Sequence, residues 1–337
     1  MDFIRLHPRD TAEIDETWRV WAQAHEHDAP GRPPNSRVMF EADLNNVHPE
    51  IKTEIHVARQ ADRIVGFAGV QMQTRDNTHT FDAHCVVHPE YRRRGIGSAL
   101  MERAQQVGAA NDRRMVMSMA AEPVPGGPRL RDDGVKFLSR KGFEVANVMR
   151  GREVELAAID GDVEQRLLDE SWPHAAGYEL VQWHGPTPDE HLDGAAELAS
   201  RLMSDVPFGD LELDEVHFDA ERHRVNEAAD MRRGCDFVCT YVRHVASGEL
   251  VAHSVIGVIA DSPQYGGQWI TLVHPNHRGH RLGMIVKIEN HRLLRSVKPQ
   301  VRWIDTSNAE VNKHMVAINE RLGFTEVDRH LAFQRKL

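Results

Sequence analysis

Residues 87–100 read VHPEYRRRGIGSAL: a strand end and a proline, then Arg92-x-x-Gly95-x-Gly97 opening an amphipathic run. That order predicts a turn of exposed backbone amides at a helix N-terminus, a ready site for a pyrophosphate. Glycines at 95 and 97 let the main chain approach a ligand with no Cβ in the way, and Arg92, Arg93 and Arg94 add positive charge. The binding atoms expected here are the backbone groups of Gly95, Ile96, Gly97 and Ser98, flanked by the three arginines.

The segment recurs downstream as VHPNHRGHRLGMIV, where Val273, His274, Pro275, Arg278 and Gly283 match Val87, His88, Pro89, Arg92 and Gly97 at one offset of 186 residues. A shared offset argues for two copies of one domain. Each copy also closes with a helix running into a Gly-Phe step, FLSRKGF at 137–143 and AINERLGF at 317–324. The second copy has Arg281 where the first has Gly95, with Gly279 nearby to restore backbone freedom. Whether that copy binds a ligand stays open from the sequence.

With these landmarks the chain resembles the GNAT superfamily of acyl-CoA-dependent N-acetyltransferases, in the tandem form with two such domains in one polypeptide. The resemblance implies an α/β fold of two domains, each a mixed, mostly antiparallel sheet flanked by helices. Read along the chain, the elements and composition place domains at 1–156 and 177–337, with 157–176, mostly acidic and leaning to helix, as a linker. It implies acetyl-CoA as the acyl donor, its diphosphate on the first turn. Backbone groups of Cys85, Val86 and Val87 would pair with the pantetheine arm like an added strand, the Val87 amide polarising the thioester carbonyl. Many family members protonate the departing thiolate with a tyrosine four residues before the glycine of the Gly-Phe step; here Leu138 and Asn319 stand there.

Composition narrows the setting. The 337 residues suit two domains. No apolar run approaches the roughly 18 residues that span a bilayer, and MDFIRLHPRD lacks a signal-peptide centre, so a soluble, cytoplasmic protein is expected. Net charge is −10, which disfavours a nucleic-acid partner. Twenty-one histidines are present without a His-Glu-x-x-His or paired Cys-x-x-Cys pattern, so no metal is expected. Cys235 and Cys239 lie about 13 Å apart if on one strand, too far for a disulfide.

Periodicity predicts a helix at 11–24 after the cap signal Asp10-Thr11, a hairpin at 53–59 and 63–71, and a strand at 80–87 that delivers the turn. Ile96, Leu100, Ala104 and Val107 give the following helix one buried face, and a strand at 114–119 follows. The second half repeats the plan, with Leu282, Val286, Leu293 and Val297 as the matching face.

Along 80–87, Asp82 and His84 share one side about 7 Å apart, which makes them the candidate proton-handling pair for a nucleophilic amine. A bulge in this strand would change that phase. The run from Asp205 to Glu221 holds Asp205, Asp210, Glu212, Asp214, Glu215, Asp219 and Glu221 with no lysine or arginine, and reads either as a solvated surface or as a wall attracting a cationic acceptor. The function expected is acetyl transfer to a primary amine of a small, cationic metabolite or antibiotic, as in antibiotic resistance, by a monomer or homodimer. Competing readings are a thiol-cofactor enzyme resembling mycothiol synthase, with the second copy active, and a non-catalytic acyl-CoA sensor.

Overall fold

The computed structural model describes residues 2–201 and 208–337. They form two compact units, one of residues 1–149, 209–214 and 328–337, the other of residues 150–208 and 215–327.

In the first unit, β1 (Asp2–Arg5), β2 (Ile51–Gln60), β3 (Arg63–Gln73), β4 (Thr80–Val87) and β5 (Met115–Pro123) lie side by side in that order. Only β4 and β5 are parallel, and residues 328–336 of β12 (Thr325–Lys336) pair antiparallel with the far side of β5. The expected hairpin turns at Ala61, which takes φ +52°. Helix α1 (Thr11–Asp28) starts where Asp10 accepts a hydrogen bond from the Glu13 amide at 3.1 Å. It joins α2 (Arg37–Leu44), capped by Ser36, on one face of the sheet, where Ile14, Val20, Phe40, Val57 and Phe67 form a cluster. On the other face Phe81 and Ala83 pack with Ile96, Leu100, Ala104 and Val107 of α3 (Ile96–Ala110), the stripe the sequence predicts, and Leu138 of α4 (Asp133–Arg140) joins them.

The second unit orders β11 (Trp303–Ala309), β10 (Tyr265–Val273), β9 (Leu250–Ile259), β8 (Cys235–His244) and β7 (Tyr178–His184), again with one parallel pair, β10 and β11. Its helices are α5 (Gly161–Ser171), α6 (Leu192–Ser200), α7 (Ala220–Arg232), α8 (Leu282–Val297) and α9 (Lys313–Arg321). Both sheets are therefore mixed and mostly antiparallel, as expected.

The expected domain limits need correction. Strand β6 (Glu144–Glu155) changes unit at residue 150, and residues 328–337 complete the first sheet although they end the chain. Residues 157–176 are no free linker: α5 packs on α8 and contributes Leu167 and Leu168 to the core of the second unit. With α5 on one side and the sheet on the other, α8 is buried nearly all round, from Leu282 through Ile288, rather than along one stripe. The acidic run also divides, residues 209–214 going with the first unit and 215–221 with the second. Asp219 caps α7 and Glu212 pairs with Lys336 at 2.9 Å; Asp205 lies outside the described residues.

Phe333 is fully buried in the first unit's core. Phe333→Ala is expected to cost about 3–5 kcal/mol in denaturant unfolding, although only four residues follow it in the sequence. A loss below about 1 kcal/mol, in the range of surface substitutions, would show that the returning strand does not hold this core together.

Candidate functional site

Strand β4 pairs with β3 from Asp82 to Val87 without a register shift, so the alternation read from the sequence holds there and that stretch has no bulge. The parallel ladder between β4 and β5 is short, Thr80 to Met115, Phe81 to Val116 and Asp82 to Met117. One residue further on, the Ser118 hydroxyl donates to the Ala83 carbonyl at 2.8 Å. That bond fixes the direction of the main chain: residues 83, 85 and 87 turn their amide groups toward β5, and 82, 84 and 86 toward β3. Cys85 and Val87 therefore present N–H groups where the ladder has ended. Val86 does not, because its peptide groups face Phe67 of β3, and it leaves the expected pantetheine-binding set.

The turn that follows holds Arg93 at φ +63° and Gly95 at φ +84°. A Cβ at Gly95 would meet nothing within 4 Å, so the glycine serves backbone conformation and open approach. Gly95 caps α3 with no side-chain hydrogen bond, and the helical ladder begins with Ala99 N–H on the Gly95 carbonyl at 3.1 Å. The amides of Ile96, Gly97 and Ser98 precede that ladder and are directed out of the helix end. Arg92 is not a phosphate ligand as expected: its guanidinium makes a bidentate pair with Asp28 at 2.6 and 2.7 Å, and its Nε donates to the Val87 carbonyl at 3.0 Å. It braces the turn against the end of α1. Arg93 and Arg94 are exposed, Arg94 lying over the Tyr91 ring at 5.3 Å.

On the α1 and α2 face, the His84 ring stacks on Trp21 (5.8 Å, 26°) and meets Phe67 edge-on at 5.7 Å. It occupies the space above Gly69, where a Cβ would come within 2.0 Å of Cε1. Burial pushes His84 down to about 4, and the charge that opposes this is Asp43 of α2, not Asp82. The sequence reading paired His84 with the wrong carboxylate. Asp43 in turn accepts from the Gln71 side chain at 3.2 Å. Asp82 touches solvent but is ringed by enough protein that desolvation raises its carboxyl to about 6. The Cys85 thiol is pushed up to about 12 by burial and is no nucleophile. Leu138 is core, and Asn319 is fully buried with its Nδ2 on Asn308 at 2.6 Å, so neither replaces the missing tyrosine.

In the second copy, Arg281 takes φ +56° and Gly279 φ +86°. The Arg281 side chain neither crowds the turn nor adds charge to it, because it donates to the Glu170 carbonyl at 3.2 Å and lies 3.8 Å from the Glu170 carboxylate. Here the strand does carry a bulge, between Gln268 and Ile270 of β10. Among the described residues, no group of three or more His, Cys, Asp or Glu is placed to hold a metal ion, and no helix is long and apolar enough to cross a membrane.

The acetyltransferase (GNAT) domain family model matches residues 52–145. A tandem GNAT protein from the clavulanic acid biosynthesis pathway is 27% identical, with 99% of this chain and 98% of that chain covered at a TM-score of 0.83. A GCN5-related N-acetyltransferase from Sphaerobacter thermophilus shares the fold at 14% identity, covering 99% of this chain and 95% of that one with a TM-score of 0.64. A glucosamine N-acetyltransferase region of a fungal β-N-acetylglucosaminidase does so at 17% identity and a TM-score of 0.66, over 98% of this chain and 38% of that one. A comparison with curated protein sequences found no match.

Arg92→Ala is expected to destabilise the protein by about 1.5–3 kcal/mol in denaturant unfolding, the range for a hydrogen bond to a charged partner, while Arg93→Ala leaves stability unchanged. In a proton NMR titration the His84 imidazole should titrate near 4. Asp43→Asn should lower that midpoint and Asp82→Asn should leave it, and the reverse pattern would restore the original pairing.

Proposed function

Given that this chain is a tandem GNAT protein and an N-acetyltransferase by family, we propose that it moves an acetyl group from acetyl-CoA to a primary amine of a small, cationic metabolite or antibiotic, with the first unit carrying the chemistry. The observation that carries the reading is one continuous row of open backbone donors, from Cys85 and Val87 to Ile96, Gly97 and Ser98. Acetyl-CoA supplies the activated acyl group when bound. The residues present fit it: the α3 amides suit the diphosphate, Arg93 and Arg94 add positive charge, and the Cys85 and Val87 amides suit the extended arm and the thioester carbonyl.

The acceptor amine must lose a proton to attack. Asp82 and His84 lie on the same side of β4, on the face opposite α3, and at neutral pH burial leaves the imidazole uncharged. Asp82, at about 6, is largely ionised at pH 7 and is the stronger base of the two. Asp43, Asp82 and the overall charge of −10 favour a cationic acceptor. The aromatic wall of Trp21 and Phe67 behind His84 suits an acceptor with an apolar portion beside the amine.

One observation favours the reading with the second copy active. The bulge that interrupts pairing at the acyl-binding strand is in β10 and not in β4. Calorimetry with acetyl-CoA on the Gly95→Glu and Gly283→Glu variants separates the copies, and loss of binding in the second alone would move the chemistry there.

Thiol release from acetyl-CoA across a panel of cationic amines tests the activity, and coenzyme binding without any release would leave the sensor reading standing. With an accepted amine, kcat/KM should rise with pH through about 6 as Asp82 ionises. Asp82→Asn should remove that limb and cut kcat by about 10²-fold or more. An unchanged profile would take the base role from Asp82.

A further inference from the structure

The second unit buries ionisable groups that acyl transfer does not use. Lys287 and His291, one turn apart on α8, have no solvent exposure. No hydrogen-bond partner reaches Lys287 Nζ or either ring nitrogen of His291. The ammonium lies over the Phe324 ring, 4.7 Å from its centroid, and the imidazole tilts against the same ring at 5.9 Å. Burial lowers Lys287 to about 7; burial first, then the charges of Lys287 and Arg295, lowers His291 well below its ordinary value.

The charged groups around them are few. From α5 comes Glu164, its Oε1 at 4.0 Å from His291 Nδ1, but that carboxylate already binds Arg295 at 2.9 Å. From α8 itself come Arg295 and Glu289, the latter beside Arg292 at 3.7 Å. β11 offers Ile304 to this core, and Asp305 alternates to the opposite face. The turn after α9 offers Phe324, and its neighbours Glu320 and Arg321 are exposed, with Arg321 on Glu170 at 2.9 Å. Of the sheet beneath α8, β8 carries Asp236, which already pairs with Lys298 and with His184 at 3.0 Å, so among the described residues no counter-charge is left for a second and third cation.

Helix α5 and the short turn that follows it steady the second phosphate-type turn. The Glu170 carbonyl accepts from Arg281, and the His174 carbonyl sits 2.9 Å from His280 Nδ1. We propose that the contact between α5 and α8 is a proton-sensitive latch, in which protonation of Lys287 and His291 releases α5 and, with it, the bonds from Glu170 and His174 that hold residues 280 and 281.

The sign follows from linkage. Both groups bind protons more weakly when the latch is closed, so opening takes up protons and acid favours it. Lys287 acts between pH 10.5 and about 7, and His291 adds below 6.5. Hydrogen exchange on the full chain, corrected for intrinsic rates, reads this directly. Protection of residues 161–171 should rise with pH between 7 and 9 by up to roughly tenfold per unit, one proton's worth, while α3 of the first unit shows no such trend. Lys287→Met should flatten the rise, and His291→Phe should remove only the part below pH 6.5. Protection of α5 that does not change with pH in the unmodified protein overturns the latch without recourse to any variant. So does a slope that survives Lys287→Met.

Discussion

The early end of the β4–β5 ladder governs the first unit. A backbone N–H next to an apolar core needs a partner, and beyond Asp82 the sheet stops supplying one. On the acceptor side, the Ser118 hydroxyl donates to the Ala83 carbonyl, and Arg92 donates to the Val87 carbonyl while gripping Asp28. What remains are donors with no acceptor of their own, continuous with the uncapped end of α3. The coenzyme of the proposed reaction, with carbonyl and amide groups along its arm and a diphosphate at its end, would complete that pairing.

The two turns reach one backbone shape by opposite routes. Each has two residues in the left-handed region, at 93 and 95 in the first copy and at 279 and 281 in the second. The first fills them with Arg then Gly, the second with Gly then Arg. Each thus tolerates one strained arginine, at about 1–3 kcal/mol, but in different places. In the first copy the glycine is the helix cap and the ligand side is open. In the second the arginine is the cap, and α5 draws its side chain away. The departure from the motif therefore has its compensation in residues 157–176, the stretch whose composition reads as a linker.

The turn, the flanking strands and the α3 stripe were legible because their signals are local: a glycine pattern, a period of two and a period near 3.6. The final strand was not. TEVDRHLAFQRK alternates only loosely, and its partner β5 lies some two hundred residues earlier, so nothing nearby in sequence marks Phe333 as core. Helix α2 spans only eight residues after a proline-rich turn, too few for a periodic signal to mark it. Missing that helix hid Asp43, which is why Asp82 was taken as the partner of His84. Arg92 misled for a similar reason: its motif position fits an anion ligand, and only the fold brings Asp28 to it.

Desolvation disfavours whichever protonation state carries charge, so one environment moves a carboxyl up and an imidazole down. In water the imidazole is the stronger base by more than two pH units. Beside β4 the order reverses, with Asp82 at about 6 and His84 at about 4. On the proposed reading a proton taken from an amine would rest on the carboxylate, the imidazole staying neutral. Neutral is also the state that its stacking on Trp21 favours, since that ring pair excludes the water a charged imidazole would need. His84 is thereby a fixed, uncharged ring in this wall, and Asp82 at the last rung of the ladder is the group of the two that titrates nearer neutrality.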